Sequence, residues 1–261
     1  MSDWNSNQYM KFKNERTQPS VDLINRISYL DPQNILDIGC GPGNSTFALK
    51  NRFKNADIIG VDYSENMLEK AKTSYPDMAF EKCNVPSGLE NYEQKFDLIF
   101  SNACIHWIDN QEELIYKIFD KLNPSGVLAV QLPLIQKTPF YEIIYCLIKT
   151  EKWKKLSEIH NFYNLLPEEY YDLFCKLNCD FSIWQTTYYH IMQSNMGVIE
   201  WYKGSGLRPY LDMLSKSEQS DFIDDLLSEL KSVFPLQADG KVILKMPRLF
   251  FTLTKNKLYG R

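Results

Sequence analysis

The chain has 261 residues, 44% of them hydrophobic and 24% charged, so it can bury one sizeable core, which excludes a disordered or fibrous protein. The formal net charge is -4 and no long run of lysine or arginine occurs, which argues against nucleic acid as a partner. Neither a signal peptide nor about 20 consecutive apolar residues can be found, so we expect a soluble cytoplasmic protein that does not bind membranes.

Strand and helix patterns alternate between residues 30 and 133. Short β-branched apolar runs occur at 34–39, 57–62, 96–102 and 126–133, with a weaker run at 78–85. Helical patterns separate these runs, and Ser64 has the character of an N-cap residue. Buried strands that alternate with helices predict right-handed crossovers and a doubly wound, mostly parallel sheet.

The pattern changes after Pro133. We expect a helical cap insertion at 134–180, a strand at 181–192, a second part of the cap at 193–240 and a final strand within 241–261. The two late strands would pair antiparallel at one edge and complete a seven-stranded, Rossmann-like α/β sheet. Residues 1–29 then form an N-terminal arm that precedes the core at 30–133.

The six cysteines lie mostly in apolar segments, which predicts free, buried thiols and a reducing compartment. Cys175 and Cys179 would share a helix face, but with three histidines in the chain and no CxxC motif we predict no metal ion.

The stretch "LDIGCGPGN" (36–44) predicts a ligand-binding turn between a strand and a helix. It departs from the dinucleotide motif GxGxxG, because Asn44 takes the place of the third glycine. Asp37 would also repel a pyrophosphate, by several kcal/mol at low dielectric, whereas it would attract an ammonium or a sulfonium. Asp62, roughly 20 residues further on, is suited to accept both ribose hydroxyls. These features favour S-adenosylmethionine (SAM) over NAD, the alternative being a glycine-rich turn without a ligand.

The motifs "LDIGCGPGNST", "GVDYSENMLEKA" and "FDLIFSNACIHW" resemble those of class I SAM-dependent methyltransferases. Other segments, "EWYKGSGLRPYLDML" and "MPRLFFTLTK" among them, resemble the trans-aconitate methyltransferase family in order and spacing over nearly the whole chain.

The resemblance implies a set of cofactor contacts. The methionine side of SAM would be held by Asp37, Gly39, Gly41 and Gly43, the ribose by Asp62, and the adenine by Tyr63, Met67, Asn84 and Val85. Ser101, Asn102 and Ala103 would lie beneath the transferred methyl group, and Tyr9 and Arg16 of the arm would reach the methionine carboxylate. Two positions depart from the family, since Asn84 stands where an acidic residue is common and Gln18 where a second arginine is common.

A carboxylate that accepts a methyl group needs no general base, because it is ionised at pH 7 with a pKa of about 4. A polycarboxylate does need cationic anchors for the groups that do not react. Arg208 and Arg248 lie among apolar neighbours and suit this role, although an internal salt bridge to Asp212 or Asp239 is the alternative.

Two histidines complete the predicted catalytic set. His106 would donate to the substrate carboxylate or simply pack, and strand alternation turns only one of Tyr189 and His190 inward, for which we predict His190.

The two arginines and the resemblance together imply a carboxyl O-methyltransferase that esterifies a small polycarboxylate, trans-aconitate or a relative. We expect a monomer or weak homodimer. Three alternatives stay open: a methyltransferase for a malonyl thioester or fatty acid, a SAM-binding protein without catalysis, and an NAD-linked oxidoreductase. Base-methylating enzymes have a Pro-Pro-Tyr/Phe run after the fourth strand, and catechol-type enzymes have acidic metal ligands there. The sequence at this point is "SNACIHW", which contains neither.

Overall fold

The computed structural model describes residues 11–159 and 162–257, apart from the side chain of residue 136. The described chain divides into two compact units. The sheet unit consists of Lys13–Pro133, Phe162–Thr186 and residues 249–257. The helical unit consists of residues 11–12 and 134–159 together with Thr187–Arg248. No helix in these ranges is both long enough and apolar enough to cross a bilayer.

The strands form one seven-stranded sheet in the order β3-β2-β1-β4-β5-β7-β6. Their bounds are β1 Asn34–Ile38, β2 Asp57–Asp62, β3 Ala79–Lys82, β4 Phe96–Asn102, β5 Leu122–Pro133, β6 Cys179–Met192 and β7 Val242–Lys255. The pairs β1/β2, β1/β4, β2/β3 and β4/β5 are parallel. The predicted seven-stranded, mostly parallel α/β sheet is confirmed, and the two late strands occupy one edge as expected.

The three helices between residues 30 and 133, Asn44–Arg52, Glu65–Ser74 and Gln111–Asp120, follow the predicted alternation with strands. The bounds of the helices are α1 Lys13–Arg26, α2 Asn44–Arg52, α3 Glu65–Ser74, α4 Gln111–Asp120, α5 Pro139–Leu147, α6 Pro167–Cys175, α7 Asn195–Lys203, α8 Arg208–Asp212 and α9 Lys216–Val233. Ser64 caps α3, as predicted, by accepting the Met67 N–H at 3.2 Å. Ser215 and Glu218 form a capping box at the start of α9.

The sheet unit buries apolar strands between helices. Ile35, Leu36 and Ile38 of β1 are fully buried, and burial of each side chain stabilises the fold by roughly 1.5–3 kcal/mol. Helix α1 packs against α2 and β5, while α2 packs against β2 and α3 against β2 and β3. Because β1, β2, β4 and β5 are parallel neighbours, their carboxyl ends lie side by side along one side of the sheet, which we call its carboxyl edge.

The helical unit has an aromatic core. The rings of Phe140 and Tyr202 stack with centroids 3.6 Å apart. Trp153 is buried against Phe222 and donates its Nε1–H to Asp225 at 2.8 Å. Aromatic side chains thus supply the core of this unit.

Two expectations for the cysteines are wrong. Cys146 and Cys175 are exposed, because α5 and α6 bury other residues of these helices, Ile143 and Phe174 among them. Cys175 and Cys179 do not share a helix face, because α6 ends at Cys175 and Cys179 begins β6.

Candidate functional site

The glycine loop joins β1 to α2. The N–H groups of Gly39 and Cys40 both donate to Val61 O, at 2.8 and 3.0 Å, which fixes the loop against the end of β2. Gly39 (φ +72) admits no side chain, because an added Cβ would lie 2.2 Å from Cys104 Sγ. Among residues 11–159 and 162–257, no atom lies within 4 Å of a Cβ added at Gly41 (φ +54), so its backbone borders open space in this part of the chain. A ligand can therefore approach the main chain closely at Gly41.

Asp37 is a fully buried carboxylate beneath this loop. Its Oδ2 accepts hydrogen bonds from Ser45 Oγ and Thr46 Oγ1, both at 2.7 Å, and these two residues belong to the first turn of α2. Its Oδ1 has no hydrogen-bond partner among the described residues. Burial raises the pKa of Asp37 to about 6, although the two hydroxyls lower the pKa. This buried acceptor disfavours a phosphate and favours a cation.

Asp62 ends β2 next to the loop. Its Oδ2 accepts the N–H of Gly41 at 2.9 Å, and its Oδ1 accepts the N–H of Ser64 at 2.9 Å. A carboxylate has about four acceptor positions, so both oxygens can accept further hydrogen bonds. Asp62 therefore orients the loop and is still able to accept hydroxyl groups of a ligand.

The residues assigned to the adenine follow β2 and β3. The Tyr63 side chain is 67% exposed, whereas Met67 is buried in α3. Asn84 is exposed and its carbonyl accepts the N–H of Gly88 at 2.7 Å, while Val85 is half-buried. A neutral amide and an apolar side chain therefore stand where the resemblance implies an acidic residue.

The end of β4 is joined to the end of β1. Ser101 is fully buried and donates to Ile38 O at 3.0 Å, and Ala103 has a left-handed backbone with φ +52. The N–H of Ala103 donates to Gln131 O at 2.8 Å, which ties the turn to β5. The structure thus brings Asp37, the loop, Asp62 and residues 101–103 together at the carboxyl edge of the sheet.

His106 lies in a short 3₁₀ turn, Ile105–Trp107, just past β4. The imidazole is buried, and it stacks on Phe162 with ring centroids 5.8 Å apart and packs beside Trp107. The backbone carbonyl of His106 accepts the N–H of Tyr163 at 2.9 Å. His106 is therefore fixed within the sheet unit by aromatic packing and by a backbone hydrogen bond.

The predicted contacts from the arm are described only in part. Arg16 is half-buried in α1, whereas Tyr9 lies outside the described residues. Gln18 is exposed and donates to Asp22 Oδ1 at 2.8 Å along the surface of α1. Gln18, which stands where the resemblance implies a second arginine, thus bonds within its own helix.

The helical unit contains Arg248 in a setting of tyrosines. Arg248 is 6% exposed. Burial raises the pKa of Tyr141 and of Tyr202, and the positive charge of Arg248 lowers each pKa by a smaller amount. The guanidinium therefore acts electrostatically on both phenols. Tyr210 is buried as well and acts electrostatically on Tyr141. A cation and phenolic hydroxyls in one buried cluster form a setting that suits a carboxylate.

The other two predicted residues of this unit differ in exposure. Arg208 begins α8 and is half-buried. His190 is buried and stacks on Trp201 with centroids 4.7 Å apart, whereas Tyr189 is 60% exposed. The alternation along β6 therefore turns His190 inward, as expected. Asp239 is one of the two acids considered as a salt-bridge partner for the arginines. Its Oδ2 lies 3.0 Å from Lys241 Nζ, so it forms an ion pair with that lysine.

Sequence reasoning missed three buried tyrosines and one glutamine. The tyrosines, Tyr141, Tyr202 and Tyr210, sit in helical segments that look merely aromatic, and the only signal is that a phenol in an apolar face needs a polar partner. Gln131 is fully buried near the end of β5. A lone amide within the apolar run "GVLAVQLP" was the signal that could have marked it.

Comparison with known proteins finds similarity to methyltransferases over nearly the whole chain. A family model described as a methyltransferase domain matches residues 31–195. The trans-aconitate 2-methyltransferase of Escherichia coli O157:H7 (strain EC4115 / EHEC) is 37% identical over 268 residues, with 98% of this chain and 100% of that protein covered. The enzyme of the same name from Rhodopseudomonas palustris (strain BisB18) is also 37% identical, over 263 residues and with the same coverage.

Solved structures share the fold at low identity. Phosphoethanolamine N-methyltransferase 2 of Haemonchus contortus, in complex with SAM, matches with a TM-score of 0.57 and 19% identity, over 92% of this chain and 53% of that one. The YcgJ protein of Bacillus subtilis matches with a TM-score of 0.59 and 14% identity, over 92% of this chain and 99% of that one. These likenesses support the fold.

Proposed function

This chain belongs to the trans-aconitate methyltransferase family of SAM-dependent methyltransferases, and on that premise we propose that it esterifies one carboxylate of trans-aconitate. The observation that carries the proposal is 37% identity over 98% of the chain to enzymes named trans-aconitate 2-methyltransferase. Their name also favours the 2-carboxylate as the group that accepts the methyl.

The sheet unit offers what SAM requires. The Gly41 backbone borders open space, Asp37 supplies a buried carboxylate oxygen, and Asp62 can accept hydroxyl groups. We assign the methionine side to Asp37 and the loop Gly39–Gly43, the ribose to Asp62, and the adenine to Tyr63, Met67, Asn84 and Val85.

SAM supplies, when bound, a methyl group on a sulfonium, which an ionised carboxylate accepts by in-line displacement. The residues of this chain then have to orient the acid and exclude water rather than remove a proton, because the acid is already ionised at neutral pH with a pKa of about 4. We assign His106 to orienting the reacting carboxylate by donating a hydrogen bond, and no residue to general-base catalysis.

The remaining carboxylates need anchors, which we assign to Arg208 and Arg248. Arg248 supports this role because it is buried near the phenols of Tyr141 and Tyr202, where a carboxylate would gain both charge and hydroxyl donors. His190 would complete this set from β6. A polycarboxylate would bring charged groups that do not react to these side chains, whereas a fatty acid has only the carboxylate that reacts.

We also infer a cytoplasmic enzyme that acts on a small molecule as a monomer or weak homodimer. The six cysteines are free thiols, which fits a reducing compartment.

The decisive test supplies SAM and one acid at a time from a panel of mono-, di- and tricarboxylates, and detects methyl esters by mass spectrometry. We expect a monomethyl ester from trans-aconitate at much higher kcat/KM than from any other acid, with NMR assigning the ester to the 2-carboxylate. Turnover of a fatty acid or a malonyl thioester in preference would replace this proposal, as would SAM binding with no ester from any acid.

A further inference from the structure

Three polar side chains share one face of the sheet at its carboxyl edge. Asp37 of β1 pairs with Phe100 of β4, and Asn102 follows two residues later on the same face. Asn102 in turn pairs with Gln131 of β5. Because partners in a parallel ladder point to the same side, Asp37, Asn102 and Gln131 form a row across β1, β4 and β5.

Gln131 is the member of this row to which no role has been assigned above. Its side chain is 0% exposed, and neither its Oε1 nor its Nε2 has a hydrogen-bond partner within residues 11–159 and 162–257. Its backbone is fixed, because its carbonyl accepts the N–H of Ala103 at 2.8 Å. Buried polar side chains nearly always have a hydrogen-bond partner, so this amide is suited to a ligand.

The other two members of the row present oxygen acceptors. Asn102 Oδ1 and Asp37 Oδ1 are both buried and likewise have no hydrogen-bond partner in the described part of the chain. The row therefore offers a carboxylate oxygen, two amide oxygens and one amide N–H group. An ammonium takes such acceptors and a carboxylate takes such a donor, so the row matches a zwitterionic amino-acid group.

We propose that Gln131 is a cofactor-binding residue that recognises the amino-acid end of SAM, its Nε2 donating to the α-carboxylate while Asn102 and Asp37 accept from the α-ammonium. Position supports this, because α1 packs against α2 and β5, and α2 bonds Asp37 through Ser45 and Thr46. The helix that carries Arg16 thus covers the same face as Gln131. The assignment rests on the use of SAM and not on the identity of the acid.

The test compares two ligands that differ in this end alone. S-adenosylhomocysteine (SAH) has the amino-acid group, whereas 5′-methylthioadenosine keeps the adenine, ribose and thioether but lacks it. In Gln131→Met, which removes both polar atoms at nearly constant volume, we expect the affinity for SAH to fall about tenfold to a hundredfold. The affinity for methylthioadenosine should change less than about twofold, and calorimetric titration measures both.

Gln111→Met is the matched control. Gln111 is also a buried glutamine, but its Nε2 donates to Ile105 O and Ile108 O, and its Oε1 accepts from Tyr170. This variant should have a lower unfolding midpoint and an unchanged ratio of the two affinities. Ligand-free Gln131→Met, in contrast, should unfold at the wild-type temperature or above it, because it loses an amide that is not hydrogen-bonded.

Equal losses for both ligands in Gln131→Met, or no loss for SAH, would overturn the assignment. A clear fall of its unfolding midpoint would also count against it, because it would indicate a structural role. So would a raised KM for the acid with SAH affinity intact, because Gln131 would then bind the substrate. Failure of trans-aconitate as a substrate would leave the two affinities, and hence this inference, unaffected.

Discussion

The N–H of Gly41 donates to Asp62 Oδ2 across 2.9 Å, so the glycine loop after β1 is held by the acid that ends β2. One carboxylate therefore both fixes the shape of the loop and remains able to accept ligand hydroxyls. Removal of Asp62 should weaken cofactor binding for both reasons at once.

We predict that Asp62→Ala lowers the affinity for SAH by about a hundredfold, because hydrogen bonds to a charged group are lost in the loop and to the ribose. The KM for the acid at saturating SAM should change little. Asp57→Ala at the opposite, exposed end of β2 is the control, and calorimetric titration is the measurement. An SAH affinity equal in both variants would remove Asp62 from the site.

The raised pKa of Asp37, about 6, predicts a pH dependence of binding. An ammonium prefers the ionised carboxylate, so SAH affinity should fall by about tenfold as pH decreases from 7 to 5 and Asp37 takes up a proton. Asp37→Asn should bind SAH weakly at both pH values. A wild-type affinity that stays constant over this range would contradict the prediction.

Asp37 also affects the stability of the ligand-free protein. Its pKa is about 6 in the folded protein against 3.8 as the ordinary value, so between these values the folded state binds more protons than the unfolded state. The free energy of unfolding therefore decreases as pH rises from about 4 to 6, and the loss above pH 6 is at most about 3 kcal/mol.

Asp37→Asn keeps an acceptor for Ser45 and Thr46 without the charge. Its unfolding midpoint should exceed that of wild type at pH 7.5, and the difference should shrink towards pH 4. Differential scanning calorimetry of both proteins across this range is the measurement. A difference in unfolding midpoint that grows towards low pH would contradict the predicted direction of the pH dependence.

Arg248→Ala and Arg208→Ala should raise the KM for trans-aconitate by about tenfold to a hundredfold, because each loses a charge-assisted hydrogen bond to a carboxylate that does not react. SAH affinity should stay unchanged. Arg248→Lys should raise the KM less than Arg248→Ala does, since lysine keeps the positive charge but lacks the planar guanidinium that can donate two parallel hydrogen bonds. Arg52→Ala, at the end of α2, is the control, and an equal loss of SAH affinity would argue against the anchoring role.

Tyr202→Phe removes a hydroxyl that donates to Met246 Sδ at 3.3 Å and keeps the stacked contact with Phe140. We expect the KM for the acid to rise about tenfold, because this hydroxyl can no longer turn from Met246 to donate to the carboxylate. The unfolding midpoint should change by only a few degrees. Steady-state kinetics at saturating SAM separate this effect from cofactor binding, and an unchanged KM would remove Tyr202 from the substrate site.

The sequence was sufficient to predict the sheet and the glycine loop. Runs such as "NILDI" and "DIIGVD" are apolar on both faces, and their order with the helices leaves few possible topologies. The positions of Asp37 and Asp62 beside the loop were predictable, because their negative charge and their spacing from the glycines indicate a cationic group and ribose hydroxyls as ligands.

Residues whose role depends on a distant neighbour were not predictable. In the sequence Gln131 is marked only as a lone amide in an apolar strand, and the register of β4 and β5 is needed to set it beside Asn102. Tyr141 and Tyr202 become notable only because Arg248 lies close by in the fold. The exposure of Cys146 was likewise missed, because which side of α5 is buried depends on tertiary packing.

The strand order β5-β7-β6 sets a constraint on how the protein is made. On the ribosome β5 and β6 emerge first, yet the strand that lies between them, β7, emerges after both. Until Val242–Lys255 has been synthesised, β6 therefore has no partner strand and one side of β5 is unpaired, and such open edges invite aggregation. Truncation or ribosome stalling before residue 242 would leave β6 without its neighbour and β5 exposed to other chains.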